Sequence, residues 1–169
     1  MIYEKTKQAL EKLFLSGDGK PLENVSEAGD SEKTPRPNGI LERDYTQCGY
    51  HLDVQVAPDQ LLEAVAIIDQ NNYFIESITG VDWIDDGEIE VVYDFSRYDF
   101  DLCRVVIRTR TPRDNGSVPS ITDIYTGANW HERETAEFFG ITFTGHPHLI
   151  NLLLPEEADY HPLRKDFKP

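Results

Sequence analysis

Alternation at a period of two recurs along this chain and limits it to a fold built on a sheet. Tyr50, Leu52, Val54 and Val56 alternate with His51, Asp53 and Gln55. Successive strand side chains point to opposite faces, so the pattern predicts a half-buried strand. Residues 74–83 form a second extended candidate. Asp85-Asp86-Gly87 makes a tight turn, and Ile89, Val91, Tyr93 and Phe95 form the next strand. In the strand over 102–111, Cys103, Val105 and Ile107 face inward, while Arg104, Arg108 and Arg110 face outward as a solvated sheet face.

Helical spacing interrupts these runs. Ile2, Thr6, Ala9, Leu10, Leu13 and Phe14 predict an amphipathic helix over 2–15. Pro58-Asp59 opens a second, with Leu61, Leu62, Val65 and Ile68 on one stripe and Asn71-Asn72 at its end. A third runs from about Ala128 to Phe139 and stops at Gly140. Residues 16–39, rich in Gly, Pro, Ser, Asn, Asp and Glu, read as a polar linker or loop. Residues 142–144 and 149–154 read as short extended pieces, and Pro155, Pro162 and Pro169 argue against a helix in the tail. The expectation is an α+β fold. A single domain over 40–169, mostly antiparallel sheet packed with helices, follows the helix over 1–15 and ends in an extended tail over 155–169.

Charge narrows the function. The chain has 169 residues, with 31 acidic against 16 basic, for a formal charge of −15. That balance opposes nucleic-acid phosphates and anionic membrane surfaces. No apolar run approaches the ~20 residues needed to cross a bilayer, and the N-terminus lacks the continuous apolar stretch of a secretory signal. Direct membrane insertion is not expected. Cys48 and Cys103 are too few for an iron–sulfur cluster, which takes four thiolates, and they fit a reducing compartment. No glycine-rich nucleotide loop is present.

The last forty-odd residues differ from the rest. Trp130-His131-Glu132-Arg133-Glu134, then Phe138-Phe139-Gly140, then Gly145-His146-Pro147, then His161-Pro162-Leu163-Arg164-Lys165-Asp166-Phe167 mix aromatics, histidines and both charge signs. A segment that only closed a core would use more Ala, Leu and Val. Trp130, Glu134 and Phe138 share one helix face, and Arg133 and Glu137 lie one turn apart, close enough to form an ion pair. A packed helix with a solvated charged edge explains the aromatics. It explains the density of ionisable groups less well. The tail gathers Arg164, Lys165 and Lys168 on an otherwise acidic chain, as a frayed terminus or as a docking peptide.

In these motifs the chain resembles the thirty-kilodalton subunit of respiratory complex I, the NADH-quinone oxidoreductase, and the related subunits of membrane-bound nickel-iron hydrogenases and formate hydrogenlyases. The resemblance implies a cofactor-free accessory subunit of the hydrophilic arm, without catalytic residues of its own. Such a subunit braces cluster-bearing partners during electron transfer to quinone coupled to ion translocation. It implies that NADH, flavin, iron–sulfur clusters and quinone, or a nickel-iron centre, are held by partner subunits. The implied partners are the large quinone-site or nickel-iron subunit and the small cluster-bearing subunit. The implied location is peripheral, on the cytoplasmic side of the membrane. The implied interface is Trp130, His131, Glu132, Arg133, Glu134, Phe138, Phe139, His146, Pro147, His161, Pro162, Leu163, Arg164, Lys165, Asp166 and Phe167. The chain departs from the pattern at Ile150-Asn151, where respiratory members usually carry two arginines, and this favours a hydrogenase-type or otherwise divergent partner set.

Two metal readings compete with the accessory role. His131-Glu132 resembles the start of a zinc-protease helix, but position 135, which should hold the second histidine, is Thr135. His146, His148 and His161 are the ligands a stand-alone histidine metalloprotein would use, although their spacing matches no familiar set.

Overall fold

The computed structural model describes residues 1–15, 37–99 and 102–168. The linker expected over 16–39 lies largely outside them. In chain order the elements are α1 (Ile2–Leu15), β1 (Gly39–Glu42), a short α2 (Tyr45–Cys48), β2 (Leu52–Val56), and a 3₁₀ turn (Pro58–Gln60) leading into α3 (Leu61–Gln70). They continue with β3 (Phe74–Trp83), β4 (Glu88–Arg97), β5 (Cys103–Pro112), β6 (Ser117–Pro119), α4 (Ala128–Phe139) and β7 (Thr142–Thr144).

The main sheet has the order β1-β2-β5-β4-β3, and a small second sheet pairs β6 with β7. Every pairing in the main sheet is antiparallel except β2 with β5. The α+β expectation therefore holds. The parallel pair arises because the chain leaves β2 through α3, builds the β3–β4–β5 meander, and returns β5 to the side of β2.

One face of the sheet carries the core. Leu52, Val54 and Val56 of β2, Ile89, Val91, Tyr93 and Phe95 of β4, and Val105 and Ile107 of β5 are all buried there. They meet Leu10 and Leu13 of α1, and Leu61, Ala64, Val65 and Ile68 of α3. These are the residues set at strand and helix periods in the sequence, so the apolar stripe of each helix closes on the apolar face of the sheet. The Thr6 hydroxyl, also buried, lies 3.1 Å from the Tyr73 hydroxyl and gives α1 a polar anchor.

The opposite face corrects one expectation. Arg104, Arg108 and Arg110 do not stand in water. Arg104 binds Asp94. Arg108 reaches Asp53 at 2.8 Å and Glu90 at 3.3 Å. Arg110 reaches Glu90 and Glu88 at 3.2 Å each and lies 4.7 Å from the centre of the Trp83 ring. The register causes this, because it sets Glu90 opposite Arg110 and Asp94 opposite Val106, so carboxylates and guanidinium groups from adjacent strands share one face. Burial opposes the charge on Arg108, but Asp53 outweighs it and raises the Arg108 pKa. For the same reason β2, expected to be half-buried, is buried along its whole length.

α4 docks on the edge strand β3 through one close approach. Phe139 lies over Gly80, where an added Cβ would come within 2.5 Å of the ring. Thr135 adds a hydrogen bond of 3.4 Å from its hydroxyl to the Ile78 carbonyl. Gly80→Ala should therefore destabilise the domain by about 1–3 kcal/mol, the range for overpacking. In a Phe139→Leu background the same change should cost less. A double-mutant cycle by urea unfolding measures the coupling, and equal costs in both backgrounds would show that Phe139 does not set the approach.

Candidate functional site

The distinctive C-terminal motifs meet around α4. Its C-terminus is capped by Gly140, whose φ of 72° is left-handed as expected for this position. The last carbonyls of a helix have no partner within it. Here each is taken. Gly140 N–H donates to Ala136, and His161 Nδ1 lies 2.8 Å from the Glu137 carbonyl. Leu163 N–H donates to Phe138 at 3.2 Å, and Arg164 Nε donates to Phe139 at 2.7 Å. The cationic guanidinium also sits at the negative end of the helix dipole.

The tail is therefore neither a frayed terminus nor an arm projecting from the domain. Arg164 spends a second donor on the Arg113 carbonyl at 2.8 Å. Arg113 in turn binds Asp82 at 2.9 Å and also Asp166. Lys165 N–H donates to Asp82 at 2.8 Å. Burial opposes the charge on Asp82, but Arg113 and the Lys165 amide outweigh it and hold its pKa below the usual carboxylate range. Phe167 stacks on Tyr160 with ring centres 5.7 Å apart. Between residues 161 and 168 the tail leaves Leu163, Lys165, Asp166 and Lys168 exposed.

Arg133 and Glu137 do not pair with each other. Both close on the same loop from opposite charge signs. Arg133 donates to the carbonyls of Ile150 at 2.9 Å and Asn151 at 3.0 Å. The buried Glu137 carboxylate accepts the amides of Leu152 at 2.7 Å, Leu153 at 3.0 Å and Leu154 at 3.2 Å. The converging amides bend residues 152–154, so the extended piece expected over 149–154 does not form. Periodicity carries no sign of this, because an anion that gathers several amides acts across distant parts of the chain.

Glu132 is a further correction. It is fully buried, so its side chain cannot meet a partner directly. It accepts from Ser120 Oγ at 2.6 Å and from the Ile121 amide at 2.7 Å. Ser120 Oγ also lies 2.8 Å from Thr122 Oγ1. Burial raises the Glu132 pKa to about 7 despite these two donors. Phe139 is likewise enclosed by its packing on Gly80.

The histidines do not converge on a metal. His146 Nδ1 accepts the His148 amide at 3.0 Å, which leaves Nε2 to donate to the Asn129 carbonyl at 3.1 Å. His161 faces the Glu137 carbonyl. Among the described residues no group of three or more His, Cys, Asp or Glu side chains is placed to hold a metal ion.

Beside α4 two large apolar side chains are exposed. Trp130 is 69% exposed and Leu153 is 64% exposed. Together with Thr126, Gly127, His131, Glu134 and Leu152 they line an open groove of about 400 Å³. A second, more polar cleft of about 310 Å³ lies beside it, bordered by Arg133, Ala136, Leu149, Ile150 and His161. Pro147 is exposed, and Pro162 and Phe138 are partly covered. Leu152 and Leu153 carry no interface signal in the sequence, because only the bend at Glu137 brings them beside Trp130.

The fold is thus a two-layer α+β domain whose helix–tail block presents the exposed side chains of Trp130, Leu153 and Leu163. Similarity to known proteins defines it further. A family described as respiratory-chain NADH dehydrogenase, 30 Kd subunit, matches residues 54–169, and the chain belongs to this family. An NADH-quinone oxidoreductase subunit of Roseiflexus castenholzii is 38% identical over 120 residues, covering 68% of each chain. An F(420)H(2) dehydrogenase subunit of Methanosarcina mazei is 41% identical over 93 residues, covering 54% of this chain and 58% of the relative. A chain in the solved structure of the membrane-bound sulfane sulfur reductase, an archaeal respiratory membrane complex, superposes with a TM-score of 0.66 at 30% identity, covering 81% and 80% of the two chains. These relatives are subunits of multi-subunit complexes. Among the described residues no helix is long and apolar enough to cross a membrane.

Two outcomes test the site's internal chemistry. The pKa of Glu132 is raised on folding from 4.5 to about 7, so the unfolded chain releases this proton first. Its contribution to stability is full below about pH 4.5, falls by about 3 kcal/mol as pH rises towards 7, and is flat above. Glu132→Gln, which copies the neutral carboxyl, should remove that slope. Urea unfolding of both proteins from pH 4.5 to 7.5 reads it, and parallel curves would mean that Glu132 folds as the anion. For the loop, Glu137→Ala strands three amides and should cost about 2 kcal/mol or more. Limited proteolysis should then cut first between residues 149 and 155, and an unchanged cleavage pattern would contradict the clamp.

Proposed function

We propose that this chain is an accessory subunit of the hydrophilic arm of a membrane-bound, complex I-like NADH:quinone oxidoreductase. It holds no redox group itself. It braces the large quinone-site subunit and the small cluster-bearing subunit, and those partners carry NADH, flavin, iron–sulfur clusters and quinone. Its place is peripheral, on the cytoplasmic side of the membrane. The docking surface is the outward part of the α4–tail block: Trp130, His131, Glu134, Pro147, Pro162, Leu163 and Lys165, extended by Leu152 and Leu153.

The observation that carries this reading is the exposure of Trp130 on a helix hydrogen-bonded to both the tail and the loop over 149–154. A tryptophan has much apolar surface to lose from water, and burying it in a partner is strongly favourable. α4 is held at one end by the tail and along one side by the loop over 149–154, with Trp130 on its outward side. Preorganisation of this kind lowers the entropy lost on association. The electron donor and acceptor are then properties of the assembly rather than of this chain.

A second reading is the equivalent subunit of a different membrane-bound redox complex, such as a nickel-iron hydrogenase. The fit to the sulfane sulfur reductase chain supports it, as does Ile150-Asn151 at the position of the usual arginines. Tagged purification from gently solubilised membranes separates the two. Flavin- and cluster-bearing dehydrogenase subunits support the first, and a nickel-iron large subunit supports the second. Absence of any stoichiometric partner would sink both.

Trp130→Ala tests the surface. Exposed substitutions change stability by about 0.5 kcal/mol or less, whereas truncating an interface hot spot costs about 2 kcal/mol or more. The melting temperature of the isolated chain should stay nearly constant while recovery of the complex falls by at least tenfold. A large fall in melting temperature with unchanged recovery would place Trp130 in the core instead.

A further inference from the structure

We propose that the groove between Trp130 and Leu153 receives an apolar side chain from a partner-subunit segment flanked by lysines or arginines. This deepens the docking reading above and rests on it.

Three observations fit together. The first is the groove floor. Trp130 and Leu153 are apolar and exposed, Leu152 is half-buried between them, and the groove they line is about 400 Å³, within the ~300–1,000 Å³ range of clefts that enclose a small ligand. It suits one or two side chains of an incoming segment, and its apolar floor offers little to a polar metabolite.

The second is the charge around it. Glu134 lies on the groove wall. Asp123 precedes the wall, Glu156, Glu157 and Asp159 follow it, and all four are exposed. Between residues 123 and 159 there are seven carboxylates against one arginine and no lysine. That arginine, Arg133, is turned onto the carbonyls of Ile150 and Asn151. The buried Glu132 and Glu137 have their own internal donors. The outward charge on the segments that carry the groove is thus negative, and it repels phosphate, anionic lipid headgroups and acidic peptides alike. A basic-flanked polypeptide meets an apolar seat and a complementary rim together, which sets orientation and speeds encounter.

The third is the polarity of the block as a whole. Past the groove, the exposed cations between residues 160 and 168 are Lys165 and Lys168, beside the exposed Asp166, while Arg164 is turned onto the Phe139 and Arg113 carbonyls and lies 3.7 Å from Asp114. The exposed lysines of this part of the chain therefore lie on the tail and not on the segments that line the groove. The basic-flanked segment belongs at the Trp130 end, and the tail end faces an acidic or neutral surface.

Site-specific photocrosslinking tests this in the full chain. Trp130→p-benzoylphenylalanine is expressed in the native host, membranes are irradiated, and the crosslinked peptide is sequenced by mass spectrometry. The expected product joins residue 130 to an apolar stretch of another subunit that has two or more lysines or arginines within about one helical turn on either side. A crosslink to a neutral or acidic segment of another subunit overturns the proposal and leaves the docking reading standing. Crosslinks confined to this chain overturn both. A charge measurement runs beside it. Glu134→Lys combined with Glu157→Lys should lower recovery of the complex at least tenfold at low salt while the circular dichroism of the isolated chain is unchanged. Unaltered recovery contradicts the acidic rim.

Discussion

The last turn of α4 ties the molecule together. Four carbonyls, from Ala136 to Phe139, would be unsatisfied at a helix end, and buried unpaired carbonyls are costly. The chain satisfies them with Gly140, His161, Leu163 and Arg164. The tail must therefore cross the helix end in one register. Gly140 is required at the crossing, because a Cβ there would come within 2.6 Å of the His161 ring. Once the tail is placed, Arg164, Arg113, Asp82 and the Lys165 amide close a network that joins it to β3 and to the residue that follows β5. Removing the tail would strip the helix of its cap, so a truncation confounds stability with docking, and single outward substitutions are the cleaner probe.

A second constraint acts at the middle of the same helix. Arg133 and Glu137 are one turn apart with opposite charge, and on an isolated helix they would pair for a few tenths of a kcal/mol. In the folded protein each does more by taking backbone groups of the 150–154 loop, carbonyls for the cation and amides for the anion. Charge-assisted hydrogen bonds of this kind are about twice as strong as neutral ones. The consequence for function is geometric. Leu152 and Leu153 are delivered beside Trp130, and a chain segment with no regular structure becomes one wall of a rigid groove.

Much of the architecture was legible in the residues. α1, α3, α4 and the four main strands follow from helical and alternating periods, since burial of an apolar stripe acts on neighbours a few residues apart. The family, too, was visible in the ordered motifs from Trp130 to Phe167. The interface motif was only partly readable. Trp130 and Leu163 are outward and Glu134 is half-exposed, but Glu132 and Phe139 in the same run are buried. A sequence run does not say which side of a helix a charge faces when the core itself accepts a carboxyl, as Ser120 and the Ile121 amide allow here. The arginines of β5 show the same limit. Alternation placed them correctly on the face away from the core, yet their solvation was decided by Asp53, Glu90, Glu88 and Asp94 on adjacent strands.

By itself, then, the sequence determined the periods of the elements, the single apolar core, the acidic balance and the family. These depend on composition and on spacings of a few residues, where local geometry leaves little choice. Tertiary structure alone decided the parallel pairing of β2 with β5, the ionic face of the sheet, the burial of Glu132, the clamp on residues 150–154 and the capping of α4 by the tail. Each of these joins groups ten or more residues apart. Their partners are chosen by which carbonyls, amides and charges are left unsatisfied once the core has closed, and that is a property of the assembled chain.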